Sequence, residues 1–263
     1  MRLISSDEQK EIQLQLLDET SSFCKRRNLS WFLAFGSLLG AVRHKGYIPW
    51  DDDLDIMMPR PDYDRFVREF HSDTFPFIQV VAPETNPDYS LPFAKVHDTR
   101  TIVRELRYRQ DVFGVYMDVF PLDGIESPKQ SKTMLRLGKL LNAKKACLSK
   151  LRPPLKSLLI LGSQIVLAPF SVRSILNRMN RISRRIPFED SDESSVLCAT
   201  IADRIRFPRS AFQSFVESDF EGRQCRIPSN AEEILRQCYG DYLKLPPEDQ
   251  RHSHHDADAF WKD

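Results

Sequence analysis

Residues 49–58, PWDDDLDIMM, place four aspartates within five positions and follow them at once with isoleucine and two methionines. Read as a strand, 53–58 points Asp53, Asp55 and Met57 to one face and Leu54, Ile56 and Met58 to the other. The apolar face anchors the strand in a core, so the carboxylates opposite cannot separate by moving. Two carboxylates about 4 Å apart repel by about 4 kcal/mol at an effective dielectric near 20. Either one keeps a proton or a cation sits between them, and several aspartates together favour the cation. Oxygen ligands with no neighbouring His or Cys favour Mg²⁺ or Mn²⁺ over zinc. An EF-hand is improbable, because methionine stands where its central glycine should be. Taken alone, the stretch also reads as a solvated acidic turn.

It does not stand alone. Upstream, AFGSLLGAVRHKG gives a short apolar strand (WFLAF, 31–35), then Gly36 and Ser37 opening a helix. Gly36 lets backbone approach a ligand, and the Ser37 hydroxyl and first helical N–H groups face any anion there. Arg43, His44 and Lys45 add positive charge within reach. Phosphate donors and carboxylate-bound metal would converge on one spot. A lone aspartate, Asp118, lies amid aromatics in GVYMDVFPLDG, where Tyr116, Asp118 and Phe120 alternate with Val115, Met117 and Val119. Buried there it needs a partner. The alternative is an edge strand facing water.

Elsewhere the reading is coarser. Residues 7–27 form an amphipathic helix with Ile12, Leu16, Leu17 and Phe23 inward and Asp7 as cap. Pro61 opens a helix over 62–70. Strands are expected at 77–82, 93–98 and 101–106, and Leu, Lys and Arg with helical periodicity fill 128–186. The apolar run 155–170 is too short and interrupted to span a bilayer and reads as a buried helix. Asn230 caps a last helix. The fold class is α/β (α+β), a small mixed sheet flanked by helices. Its divisions are a core over 1–124, a helical insertion over 125–195 and a C-terminal segment over 196–263 packing on the core.

At 263 residues, with 41% apolar composition and 17 phenylalanines, a sizeable core is available. Lys plus Arg (38) nearly balance Asp plus Glu (37), which argues against a nucleic-acid partner. Five scattered cysteines without a C-x-x-C spacing, and an N-terminus without a signal peptide, point to a reducing, cytoplasmic setting.

The run FLAFGSLLGAVRHKGYIPWDDDLDIMMPRPDYDRF closely resembles the LicD family, phosphocholine transferases of bacterial surface glycans related to fukutin-type ribitol-phosphate transferases. The pattern matched is a Gly-Ser pair at a helix start, a D-x-D strand at Asp53/Asp55, and a third carboxylate, Asp118. YGDYLKLPPEDQRHSHH resembles its C-terminal signature, which brings in His254 weakly. The resemblance covers about 7–124 and 215–255.

It implies a nucleotidyltransferase-like catalytic core. Asp53, Asp55 and Asp118 would hold Mg²⁺ or Mn²⁺, with Gly36, Ser37, Arg43, His44 and Lys45 around the donor phosphates. CDP-choline or a similar CDP-activated donor, and a hydroxyl of teichoic acid, lipopolysaccharide or another glycan, are the implied partners. Lys95 in FAKVHD is a further phosphate contact or a solvated strand lysine, and His97 a bystander. Asp241 and Tyr242 are expected to serve packing and helix termination. Such glycans are commonly built on lipid carriers at the inner face of the plasma membrane. Lys144, Lys145, Lys150, Arg152 and Lys156 therefore offer either a peripheral contact with anionic lipid or a solvated helix face. A nucleotidyltransferase releasing pyrophosphate, and a non-catalytic metal-binding module, are the rival readings.

Overall fold

The computed structural model describes residues 1–105, 113–146, 160, 162, 164–199, 206–252 and 257–263. Helix α1 (Ser6–Arg27) begins two residues earlier than expected: Ser5, not Asp7, is its cap. The Ser5 hydroxyl accepts the Glu8 N–H at 3.2 Å and the Glu8 carboxylate accepts the Ser5 N–H at 3.1 Å. This reciprocal capping box outcompetes a single aspartate. The helix buries Ile12, Leu16, Leu17 and Phe23 as its periodicity demands, and with them an amide, Gln13.

The main sheet runs in the order β2 (Phe32–Leu33), β3 (Asp55–Pro59), β7 (Tyr116–Gly124), β5 (Ala94–Asp98), β4 (Ile78–Val81). Strands β3 and β7 are parallel, and the other pairings along this path are antiparallel. Strand β3 is shorter than DLDIMM suggested, because Asp53 and Leu54 precede the ladder. Its alternation holds: Leu54, Ile56 and Met58 have no exposed surface. Asp118 sits on a central strand with partners on both sides, so the water-facing edge reading fails.

Helix α2 (Phe35–Arg43) starts one residue before the Gly-Ser pair, and α3 (Arg60–Glu69) follows β3 directly. At the far end of β7, Asp123 is fully buried against Arg60, which donates through Nε at 2.6 Å and Nη2 at 3.0 Å. Such a two-pronged pair ties α3 to the sheet.

A second sheet joins β1 (Arg2–Leu3), β12 (Ala257–Trp261) and β6 (Thr101–Glu105), so residues 257–261 form a strand between the chain's N-terminal residues and β6. Strands β8 (Glu193–Ser195) and β9 (Phe207–Pro208) extend the end of β7. A hairpin of β10 (Phe215–Phe220) and β11 (Arg223–Pro228) packs on the loop after α2, with Phe220 5.1 Å from the Tyr47 ring. Helix α6 (Ala231–Tyr239) has Asn230 at its cap position, but that side chain makes no capping bond.

Between these lie α4 (Pro128–Lys145) and α5 (Val172–Ser183), which share their own apolar cluster around Met134, Leu141, Leu176 and Met179. Two expectations change here. Lys145 is buried and Lys144 donates to the Leu167 carbonyl at 2.9 Å, so neither belongs to an open basic face. Within 155–170 the described residues Ile165, Val166 and Phe170 are exposed rather than buried. Lys150, Arg152 and Lys156 lie outside the described residues, as do Leu106, Cys147 and His254. No helix among the described residues is long and apolar enough to cross a membrane.

Candidate active site

The parallel pairing of β3 with β7 sets Asp55 opposite Asp118, and the antiparallel pairing of β7 with β5 sets Asp118 opposite Lys95. Three strands thus carry one charged row, Asp55–Asp118–Lys95. Lys95 is 2% exposed and places Nζ 2.5 Å from Asp118 Oδ1 and 3.2 Å from the centre of the Tyr116 ring. It is not a solvated strand lysine. The counter-charge that Asp118 requires on burial comes first from this ammonium.

Asp55 has no such relief. It is 6% exposed, and its Oδ1 makes no hydrogen bond. Burial, and then repulsion from Asp53, Asp118 and Asp51, pushes its carboxyl well above the usual range; Lys95 opposes this least. An unpartnered carboxylate oxygen in that setting is relieved either by a proton or by a cation. The donor set suits a hard ion, being all carboxylate. Among the described residues, no three His, Cys, Asp or Glu side chains are gathered closely enough to hold an ion as they stand.

Backbone placement of the acidic stretch comes from elements the motif does not include. Gln9 and Gln13 of α1 both donate to the Asp52 carbonyl at 3.0 Å, and Gln13 also reaches the Tyr116 carbonyl at 3.2 Å. Tyr47 Oη donates to Gln13 Oε1 at 3.0 Å. Gln13 thereby joins α1, β7 and the acidic stretch. Its signal in the sequence was only an amide on the helix's buried stripe.

Asp51, Asp53 and Asp55 form the floor of an open cleft of about 1110 Å³. Gly36 and Arg43 line it, as expected, but Gly36 serves a protein neighbour: a Cβ there would stand 2.6 Å from Asp51 Oδ2. The anion facing the start of α2 is therefore Asp51, a favourable place for a carboxylate. Ser37 is 3% exposed and accepts the Asp55 N–H through Oγ at 2.8 Å, so it positions the strand.

Arg43 donates to the Tyr242 carbonyl at 2.7 Å and through Nε to His44 Nε2 at 2.9 Å. His44, its basicity lowered by burial and by Arg43, leans on Trp50 and does not line the cleft. Lys45 is exposed and off the cleft, in left-handed backbone with φ 61°. His97 is buried, accepts the Gly114 N–H and does not line the cleft.

One wall of the cleft is aromatic. Phe35, Phe93 and Phe120 line it, with Phe120 centred 5.2 Å from Phe35 and 4.4 Å from Phe93. Phe35 holds φ 43°, a conformation bulky side chains avoid. Tyr239, Asp241, Tyr242 and His252 close the opposite side. Asp241 and Tyr242 therefore do more than end a helix.

Residues 28–121 match the family model described as LicD/FKTN/FKRP, nucleotidyltransferase domain. That span contains every residue of the charged row and of the cleft floor. Over 265 aligned residues the chain is 28% identical to the lipopolysaccharide cholinephosphotransferase LicD of Haemophilus influenzae, covering 99% of both. Shorter matches link it to uncharacterised proteins of Rickettsia. One, from Rickettsia typhi, is 33% identical over 91 residues, 34% of this chain and 26% of that protein. Another, from Rickettsia prowazekii, is 46% identical over 48 residues, 18% of each. The acidic strand and the third aspartate paired to it thus lie inside a stretch, residues 28–121, that matches the LicD/FKTN/FKRP nucleotidyltransferase domain.

Proposed function

We propose that the chain transfers phosphocholine from a CDP-activated donor to a hydroxyl of a cell-surface glycan, lipopolysaccharide being the acceptor named for its full-length relative. What supports the reading is the pairing of Asp55, on the cleft floor, with Asp118 on the adjoining strand, in a chain similar over 99% of its length to a cholinephosphotransferase. Asp53, Asp55 and Asp118 would hold Mg²⁺ or Mn²⁺. A divalent ion there would neutralise phosphate oxygens and stabilise charge on the leaving group.

The remaining work falls to the chain. Ser37 and Gln13 fix the backbone at Asp55 and Asp52, so only side-chain rotation is needed to bring the carboxylates onto an ion. Arg43, on the cleft wall, offsets charge on the donor phosphates. The acceptor hydroxyl oxygen forms a bond to the phosphorus that bears choline. The bond from that phosphorus to the bridging oxygen breaks, and CMP departs with the electron pair. Asp51, a partly exposed member of the floor outside the three ligands named above, takes the hydroxyl's proton.

Incubation with CDP-choline, acceptor glycan and Mg²⁺ or Mn²⁺ should release CMP and attach phosphocholine. Incubation with CTP should release no pyrophosphate. Pyrophosphate from CTP without CMP from CDP-choline would assign nucleotidyl transfer instead.

A further inference from the structure

The aromatic wall stands in a fixed relation to the charged row. Met57 lies opposite Phe120 in the β3–β7 register, and Ala94 opposite Val119 in the β5–β7 register, which brings Phe93 opposite Phe120. Phe93 and Phe120 therefore form the next row on the same sheet face, two residues from Lys95 and Asp118. Two residues of strand span roughly 6.7 Å. Phe35 crosses this row from the start of α2, its ring plane 86° to that of Phe120, while Phe93 is tilted 45° to it. The three rings make a corner that opens on the cleft beside Asp51, Asp53 and Asp55.

We propose that this corner is the subsite for a quaternary ammonium group, set at a distance that measures the phosphocholine headgroup. The inference rests on the phosphocholine reading above and adds where the headgroup is recognised. Four bonds join phosphorus to nitrogen in phosphocholine, about 1.5 Å each, and together reach about 5 Å. With phosphorus at the charged row, the nitrogen and its methyl groups arrive at the rings. A quaternary ammonium has no N–H to donate, so carboxylates alone recognise it poorly. Aromatic faces supply both the apolar contact for its methyls and the negative potential for its charge. Lys95 does not fill the place. Its Nζ lies 5.5 Å from the Phe93 ring centre but is buried and matched by Asp118. The left-handed backbone at Phe35 fits a residue held for where its ring must stand.

The test separates charge from shape. Calorimetry in Mg²⁺ compares phosphocholine with 3,3-dimethylbutyl phosphate, which replaces nitrogen by carbon at the same size. The full chain should bind phosphocholine roughly ten- to thirtyfold more tightly. Phe93→Leu should reduce that ratio to within threefold while leaving CMP affinity unchanged. Phe35→Leu provides a second variant if the first folds poorly. Equal affinity for the two phosphates in the unsubstituted protein overturns the subsite, whatever the transfer assay shows. So does a fall in CMP affinity with the ratio intact, which would give the wall to the base. Conversely, a tenfold ratio lost in Phe93→Leu supports the subsite even if CDP-choline is never cleaved, a result that would sink the transfer reading alone.

Discussion

Asp55→Asn removes one charge from the row with almost no change in volume. Side chains at paired positions on neighbouring strands stand about 5 Å apart, and at an effective dielectric near 20 like charges at that distance repel by about 3 kcal/mol. Asp118 is that neighbour, and the Lys95 ammonium bound to it cancels most of its share. Asp53 and Asp51 act in the same sense from the preceding loop. The net cost borne by the Asp55 carboxylate is on the order of one such interaction, about 3 kcal/mol. An amide left without a partner returns about 1 kcal/mol of it. For a chain of this size each kcal/mol moves Tm by about 2–4 °C, so Asp55→Asn should melt about 4–8 °C higher in EDTA. Its CMP release should fall roughly a thousandfold. Mn²⁺ should raise the melting temperature of the unsubstituted protein and leave that of the variant unmoved. Scanning calorimetry with and without Mn²⁺ reads all of this. A variant that melts lower than its parent in EDTA would show that the carboxylate is already satisfied, and the argument for a cation would go with it.

Lys95→Met leaves the mostly buried Asp118 without its ammonium, which should cost about 3 kcal/mol and appear in urea unfolding as an earlier midpoint with unchanged slope. Gly36→Ala puts a methyl 2.6 Å from Asp51 Oδ2. It should cut kcat at least tenfold while secondary structure by circular dichroism stays intact; full activity would place Asp51 outside the chemistry. His97 is held at about 4 by burial, with Lys262 and Lys95 lowering it and Asp98 raising it, against an ordinary 6.5. The unfolded chain therefore binds the extra proton between those values, and stability falls by about 3 kcal/mol as pH drops from 6.5 to 4. His97→Gln should flatten that limb of the unfolding curve; an unchanged limb would assign it elsewhere.

The chemistry-bearing part of the fold was largely legible. Alternation in DLDIMM and VYMDVF is local, and each face could be read without knowing the strand order. Which strands adjoin was not readable, because pairing is a long-range fact, and so the partner of Asp118 was sought in a metal rather than in Lys95 of β5. Ser37 was expected to face an anion, but its hydroxyl is turned inward to the Asp55 N–H, since a helix start can present a side chain to a strand as well as to a ligand. Gln13 and the Phe93–Phe120 row depend wholly on packing between separate elements. The alternation that made β3 readable is also a constraint on change. A one-residue insertion between Leu54 and Pro59 would rotate the remainder of the segment half a turn, exchanging what meets solvent with what meets oil. Stability and turnover would vanish in the same step, so selection on this segment acts on both traits at once and lineages can drift apart only elsewhere.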